Sequence, residues 1–219
     1  MIVPNNSSLV DYYAQRANEY ERLYAKPERQ ADLAVLKKFC AQSLAGHRVL
    51  EIACGTGYWT QAVSQTAKSI VATDINAEML RIARAKAYGC EICFQQADAF
   101  DLGALEKNDF TAGLAMAWWS HLRKSEVKAF LAGFHRQFRP GSTLVFMDNR
   151  FVAGSSTPIS RTDDEGNTYQ LRRLENGTSH EVLKNFPSQI EVKNVLAGAA
   201  ADFRWTDLPY YWFLTYTLR

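Results

Sequence analysis

The chain has 219 residues, 47% hydrophobic and 22% charged, with a formal net charge of +2. This is the composition of an ordinary globular protein, long enough for one large domain with an insertion. The near balance of charge argues against nucleic acid or an anionic membrane surface as the main partner, and no run reaches the roughly 18 apolar residues of a spanning helix.

The opening stretch, Met1 to Ser8, has no basic segment followed by an apolar core, so a cytoplasmic location is expected. Residues 8–25 read as an amphipathic helix, with Leu9, Tyr13, Tyr20 and Tyr24 near one stripe and Tyr12, Arg16 and Glu19 near another. A second helix is expected at about 28–44, stopped near Gly46. Strands then alternate with helices. Strands are expected at 48–53, 69–74, 90–96, 110–117 and 143–148, and helices at about 57–67, 77–87 and 124–138. Such alternation builds a mostly parallel sheet covered on both faces. Residues 150–186 break the pattern. Turn clusters at Asp164-Glu165-Gly166-Asn167 and Glu175-Asn176-Gly177-Thr178 predict a small antiparallel meander, followed by a helix at about 187–198 and a closing hairpin around Asp207-Leu208-Pro209. Of the four cysteines, Cys90 and Cys93 have redox-motif spacing but fall in a strand, on opposite faces. No second pair or histidine cluster completes a zinc set, so reduced cysteines and no metal are expected.

The most informative stretch is Glu51-Ile52-Ala53-Cys54-Gly55-Thr56-Gly57, a glycine turn between a strand and a helix. Asp74 closes the next strand, which suits a nucleoside held by its ribose hydroxyls. The dinucleotide fingerprint needs a small residue three places after Gly57; Thr60 stands there behind bulky Tyr58 and Trp59. A nicotinamide cofactor therefore fits poorly.

Together with Gln96-Ala97-Asp98-Ala99 and Ala115-Met116-Ala117-Trp118, the turn makes the chain resemble the class I S-adenosylmethionine-dependent methyltransferases of the small-molecule type over about 45–150. The resemblance implies a three-layer Rossmann-like α/β sandwich, its mostly parallel seven-stranded sheet having an antiparallel last strand. It divides the chain into an N-terminal helical lid, 1–45, and a cofactor-binding core, 46–219, carrying the meander. It implies S-adenosylmethionine as cofactor, released as S-adenosylhomocysteine, with a cofactor site of Glu51, Ala53, Gly55, Gly57, Asp74, Ile75, Met79, Asp98, Ala99, Ala115 and Trp118.

The lid resemblance adds Tyr12 and Arg16, one helical turn apart; the bland reading is a surface helix with packed tyrosines. His121 and Asp148 are the candidate catalytic residues, although His121 would equally cap the next helix, Trp118 pack under the cofactor and Asp148 cap a turn. Tyr13, Trp119, Arg150, Tyr169 and Arg172 are candidate substrate contacts, and an inward-facing arginine would favour an acidic or phosphorylated acceptor. The expected activity is O- or N-methylation of a small molecule by a monomer or homodimer, without nucleic acid or membrane. A non-catalytic S-adenosylmethionine-binding protein and an RNA methyltransferase are the alternatives.

Overall fold

The computed structural model describes residues 7–103, 105 and 109–219. Helix α1 spans Ser7–Arg16 and tightens into a 3-10 segment over Ala17–Ala25, where one continuous helix was expected. Tertiary contacts override local propensity there. Tyr20 lies against Gly55, the Glu21 carboxylate accepts from the Thr56 hydroxyl at 2.6 Å and pairs with Lys86, and Tyr24 stacks on Tyr58 at 3.8 Å. Pro27 then holds Lys26 extended, and a short 3-10 turn leads into α2, Gln30–Ser43. Buried Asp32 of α2 accepts a hydrogen bond from the Tyr210 backbone N–H at 2.8 Å, tying this helix to the far hairpin.

The sheet is formed by β1 (Arg48–Ile52), β2 (Ser69–Asp74), β3 (Glu91–Gln96), β4 (Ala112–Met116), β5 (Thr143–Asn149), β9 (Ala200–Asp207) and β10 (Tyr211–Leu218). Its order is β3-β2-β1-β4-β5-β10-β9, and β10 runs antiparallel to both its neighbours. Every residue of β4 is buried, which explains why the central strands read as continuous apolar runs. Alternation along each strand divides the core. Val49, Leu114, Val145 and Met147 face α2, α3 (Tyr58–Val63) and α4 (Ala77–Arg84). Leu50, Ile52, Ala115 and Phe146 face α5 (Val127–His135) and α6 (Gln189–Val195). Gly113 of β4 is required by this packing: a Cβ there would sit 2.6 Å from Phe138 and 2.8 Å from Phe134.

The insertion forms a second sheet in the order β6 (Arg161–Thr162), β7 (Thr168–Arg173), β8 (Ser179–Leu183). The Asn176-Gly177 turn joins β7 to β8 as expected, with Gly177 at φ +86° and the Asn176 side chain accepting from the Thr178 N–H. Helix α6 begins with a reciprocal capping box between Ser188 and Glu191. All four cysteines are free, Cys93 being exposed. Among the described residues, no helix is long and apolar enough to cross a membrane.

Candidate functional site

β1 pairs with β2 on one side and β4 on the other, so the crossovers leave it in opposite directions and open a crevice at its carboxyl end. A cavity of about 700 Å³ occupies that crevice. Its floor is Ala53, Gly55 and Ala117; Ala53 and Ala117 both adopt positive φ, +49° and +56°, a conformation that costs an alanine about 1–2 kcal/mol. The Asp74 carboxylate accepts hydrogen bonds from the Gly55 N–H at 2.8 Å and the Asn76 N–H at 2.9 Å, so one side chain braces the glycine turn and faces the cavity. Burial pushes its pKa up, and these N–H groups hold it back. Ile75, Met79, Ala97, Ala99 and Trp118 supply apolar walls, and Asp98 adds a second carboxylate to the lining.

Several expected cofactor residues lie elsewhere. Ala115 points into the α5-side core, because period-two alternation gives the cavity its neighbour Met116. Gly57 starts α3 at φ +78° and packs against Tyr88 and Ala83 rather than lining the cavity. Glu51 is buried within β1, its Oε2 without a partner among the described residues, and burial pushes its carboxyl up to about 8. Tyr12 and Arg16 share a face as expected, with the Arg16 guanidinium donating to the Tyr12 hydroxyl at 2.7 Å, but they border a different cavity. The side chains of the N-terminal segment that line the first cavity are Leu9, Val10, Tyr13 and Tyr20. Three of these four belong to the stripe Leu9, Tyr13, Tyr20, Tyr24, which was the available signal for Tyr20.

The second cavity, about 1110 Å³, adjoins the first and shares Tyr13, Tyr20, Ala117 and His121 with it. Its walls are cationic: Arg16, Lys26, Arg29, Arg172, Arg173 and Lys184 face one carboxylate, Glu19. Arg29, 6% exposed, donates to the Asn149 side-chain oxygen and the Ser155 hydroxyl at 3.1 Å each, and its Nε has no partner among the described residues. Arg172 donates to the buried Gln170 amide oxygen at 2.7 Å through Nη2. Arg29, Lys26 and Lys184 were not foreseen; each is an isolated cation in an unremarkable sequence context, brought here by chain reversals.

At the junction, His121 Nδ1 lies 2.8 Å from the Leu183 carbonyl, which can only accept, so Nδ1 carries the proton. Nε2 is then the acceptor for the Tyr13 hydroxyl at 2.8 Å. Burial, with Lys184 and Arg172 nearby, depresses the imidazole pKa well below its ordinary value and keeps it neutral. His121 caps no helix.

Asp148 is fully buried and lines neither cavity. It accepts from the Ser120 N–H and hydroxyl, the Asn149 N–H and Lys184 Nζ, at 2.7–3.0 Å. Burial alone would raise its pKa, but Lys184 and these donors bring it below the ordinary carboxylate value. The expected catalytic acceptor is thus an internal counter-ion. Trp119 is likewise a core residue, edge-on to Phe146 and Trp212, because the 3-10 turn Trp119–His121 rotates it away from the crevice. Arg150 is exposed and donates to the Leu208 carbonyl, and the Tyr169 hydroxyl donates to Asp163; both lie outside the two cavities. Of the five candidate substrate contacts, Tyr13 and Arg172 line a cavity, and Arg173 joins Arg172 at the wall.

A glycine turn braced by Asp74, an apolar sleeve and Asp98, set across the switch point of a sheet with reversed β10, define a Rossmann-like nucleoside-binding protein. Residues 49–141 match the family described as a methyltransferase domain. The chain is 27% identical to the malonyl-[acyl-carrier protein] O-methyltransferase of Hamiltonella defensa subsp. Acyrthosiphon pisum over 65% of its own length and 52% of the relative's. It is 26% identical to the ubiquinone biosynthesis O-methyltransferase of Xanthomonas oryzae pv. oryzae over 71% and 63%. It thus spans about half to just under two thirds of these curated relatives. DhpI aligns along nearly the whole chain: its SAH complex at TM-score 0.78 and 27% identity (97% of this chain, 96% of that one), and its SAM-HEP complex at 0.79 and 26% (96% of each).

The chain thus carries a methyltransferase domain over 49–141 and shares its fold along nearly its whole length with a protein crystallised with SAH and with SAM, which supports S-adenosylmethionine as the cofactor. The first cavity fits that group on its own terms, with two carboxylates, Asp74 and Asp98, in its lining, a glycine left open to close approach at Gly55, and apolar side chains beside them.

Proposed function

We propose that this chain transfers the methyl group of S-adenosylmethionine to an oxygen of a small-molecule acceptor held in the second cavity. The observation that carries the reading is the junction: two cavities of different character meet at Tyr13, Tyr20, Ala117 and His121. The O-methyltransferase relatives support oxygen as the methylated atom, and the DhpI complex with SAM and HEP supports two adjacent ligand sites. The cofactor supplies an already activated sulfonium methyl, so the protein's task is alignment of donor and acceptor. In this reading Asp74 takes the ribose hydroxyls, Asp98 the adenine end, and Trp118 with Met79 and Ile75 the ring faces.

The segment 7–25 acts as a lid over both cavities. It is fastened to the cofactor loop through Glu21 and Thr56, and to the meander through an ion pair between Arg22 and Glu175. Tyr13, pinned by His121, excludes water at the junction and fixes the direction of approach.

Titration calorimetry with S-adenosylmethionine and S-adenosylhomocysteine tests the first half. Asp74→Ala should weaken both about tenfold to a hundredfold, since it removes charge-assisted hydrogen bonds and the brace on Gly55. Release of S-adenosylhomocysteine over a panel of hydroxylic, acidic and amine acceptors tests the second. Tight cofactor binding with no acceptor-dependent release would leave a binding protein and overturn the reading.

A further inference from the structure

We infer that Glu51 senses the charge of the cofactor: its carboxyl is neutral while the first cavity is empty and ionised while S-adenosylmethionine fills it, so binding the donor expels a proton, and the carboxylate so formed favours the donor over the spent product. This rests on the cofactor reading of the first cavity and is independent of the acceptor. The first support is an orphaned carboxyl. Glu51 is 1% exposed, and period-two alternation turns it to the Val49 side of β1, toward α3. Three buried polar atoms on β1 and α3 lack a hydrogen-bond partner among the described residues: Glu51 Oε2, the Thr60 hydroxyl and the Trp59 indole nitrogen. Glu51 also forms no ion pair among those residues. The titratable groups facing it are Cys40 from α2, Cys54 in the glycine turn, Asp74 at the end of β2 and Tyr88 beyond α4. None of them is a cation. A buried carboxylate without a counter-ion is strongly unfavourable, so the group keeps its proton: burial pushes it up to about 8, the Thr60 hydroxyl opposing the rise and Asp74 adding to it.

The second support is the charge of the neighbouring cavity. Glu51 stands two residues before Ala53 on the cavity floor, and Asp74, which acts on Glu51, lines the same cavity. The described lining contains two carboxylates, Asp74 and Asp98, and neither lysine nor arginine. Positive charge therefore arrives there with the ligand. S-adenosylmethionine brings a fixed sulfonium, where S-adenosylhomocysteine has a neutral thioether and is otherwise alike in charge. At an effective dielectric constant of about 20, a unit cation about 10 Å away favours an ionised carboxyl over a neutral one more than about tenfold. The step is balanced: the O–H bond of the Glu51 carboxyl breaks, its electron pair stays on the carboxylate, the proton goes to solvent, and no bond of the cofactor changes. Methyl transfer then removes the charge that kept the proton off. Glu51 takes a proton back, and the hold on the spent product loosens.

Calorimetric titration of the full chain with S-adenosylmethionine and with S-adenosylhomocysteine, in buffers of different ionisation enthalpy across about pH 6–9, counts the protons released on binding. The expected result is release of up to about one proton per donor bound near neutral pH, with donor affinity rising by up to about tenfold per pH unit and levelling above about 8. S-adenosylhomocysteine should release less, so the ratio of the two affinities widens as pH rises. Glu51→Gln is neutral at every pH; it should abolish the release, flatten the donor profile and hold that ratio constant. Infrared difference spectra of the unaltered chain supply a measurement that needs no variant. The carbonyl stretch of a protonated carboxyl should be lost when S-adenosylmethionine is added and largely kept with S-adenosylhomocysteine. Proton release unchanged by Glu51→Gln, or a protonated-carboxyl band untouched by the donor, would overturn the inference and leave the cofactor reading standing. Failure of both ligands to bind at any pH would bring down both.

Discussion

Replacing each glycine of the cofactor turn by alanine should separate folding from binding. Gly57→Ala places a methyl group at φ +78°, with Tyr88 Oη 2.5 Å away and Ala83 Cβ at 3.1 Å. The left-handed conformation costs about 1–2 kcal/mol. The Tyr88 hydroxyl must also retreat from the Ala83 carbonyl it now reaches at 2.6 Å, a hydrogen bond worth about 1 kcal/mol. Gly57→Ala should therefore destabilise the chain by about 2–3 kcal/mol. Gly55→Ala meets nothing closer than Tyr20 Cε1 at 3.6 Å, an ordinary contact, so it carries only the conformational term. Its methyl group, however, enters the first cavity, and cofactor affinity should fall at least tenfold. Urea unfolding of the ligand-free protein and calorimetric titration of S-adenosylmethionine read the two effects. Tyr88→Phe closes the cycle: it should cost about 1 kcal/mol alone and almost nothing beside Gly57→Ala, because the same oxygen is at stake in both. Equal destabilisation by the two glycine changes, or full additivity with Tyr88→Phe, would refute this account of the turn.

Two further outcomes concern buried charge. Glu51, raised to about 8 by burial, favours the folded state most below its unfolded value near 4.5; this stability drains as pH rises toward 8, by something on the order of 4 kcal/mol. Glu51→Gln should flatten that slope in urea midpoints of the ligand-free protein between pH 5 and 9; an unchanged slope would exclude Glu51 as its source. Asp148 has the opposite sign: its lowered pKa stabilises the fold above the unfolded value, and this is lost as pH falls through the lowered folded one. Asp148→Asn should cost about 3–5 kcal/mol by stranding Lys184, and adding Lys184→Met should recover much of it in the same unfolding assay. No recovery would mean the pair is not the dominant interaction there.

The parts of this molecule readable in its sequence are those set by short-range chemistry. The parallel strands announced themselves as apolar runs because they are covered on both faces, and Asp74 was legible because one carboxylate at a strand end has few other uses. Adjacent tryptophans show where reading stopped. Trp118 reaches the first cavity while Trp119 enters the core, and the parting follows from the 3-10 turn at Trp119–His121, which no residue type there advertises. Asp148 looked catalytic because it ends β5 at the ligand edge; its real partner, Lys184, arrives from beyond β8. The N-terminal helix was legible as an aromatic stripe, but which tyrosines face inward was decided by contacts with Gly55 and His121, far away in the chain.

Tyr13 and Tyr20 belong to the walls of both cavities at once. Rings held in place by one occupant need not be ordered a second time for the other, so each ligand should tighten the hold on its neighbour. Linkage makes this mutual: whatever factor the donor adds to acceptor affinity, the acceptor adds to donor affinity. In the proposed reading the spent donor keeps the nucleoside assigned to the first cavity, so it inherits part of this grip. Two shared aromatic rings thereby join the selectivity of one pocket to the residence time of the other.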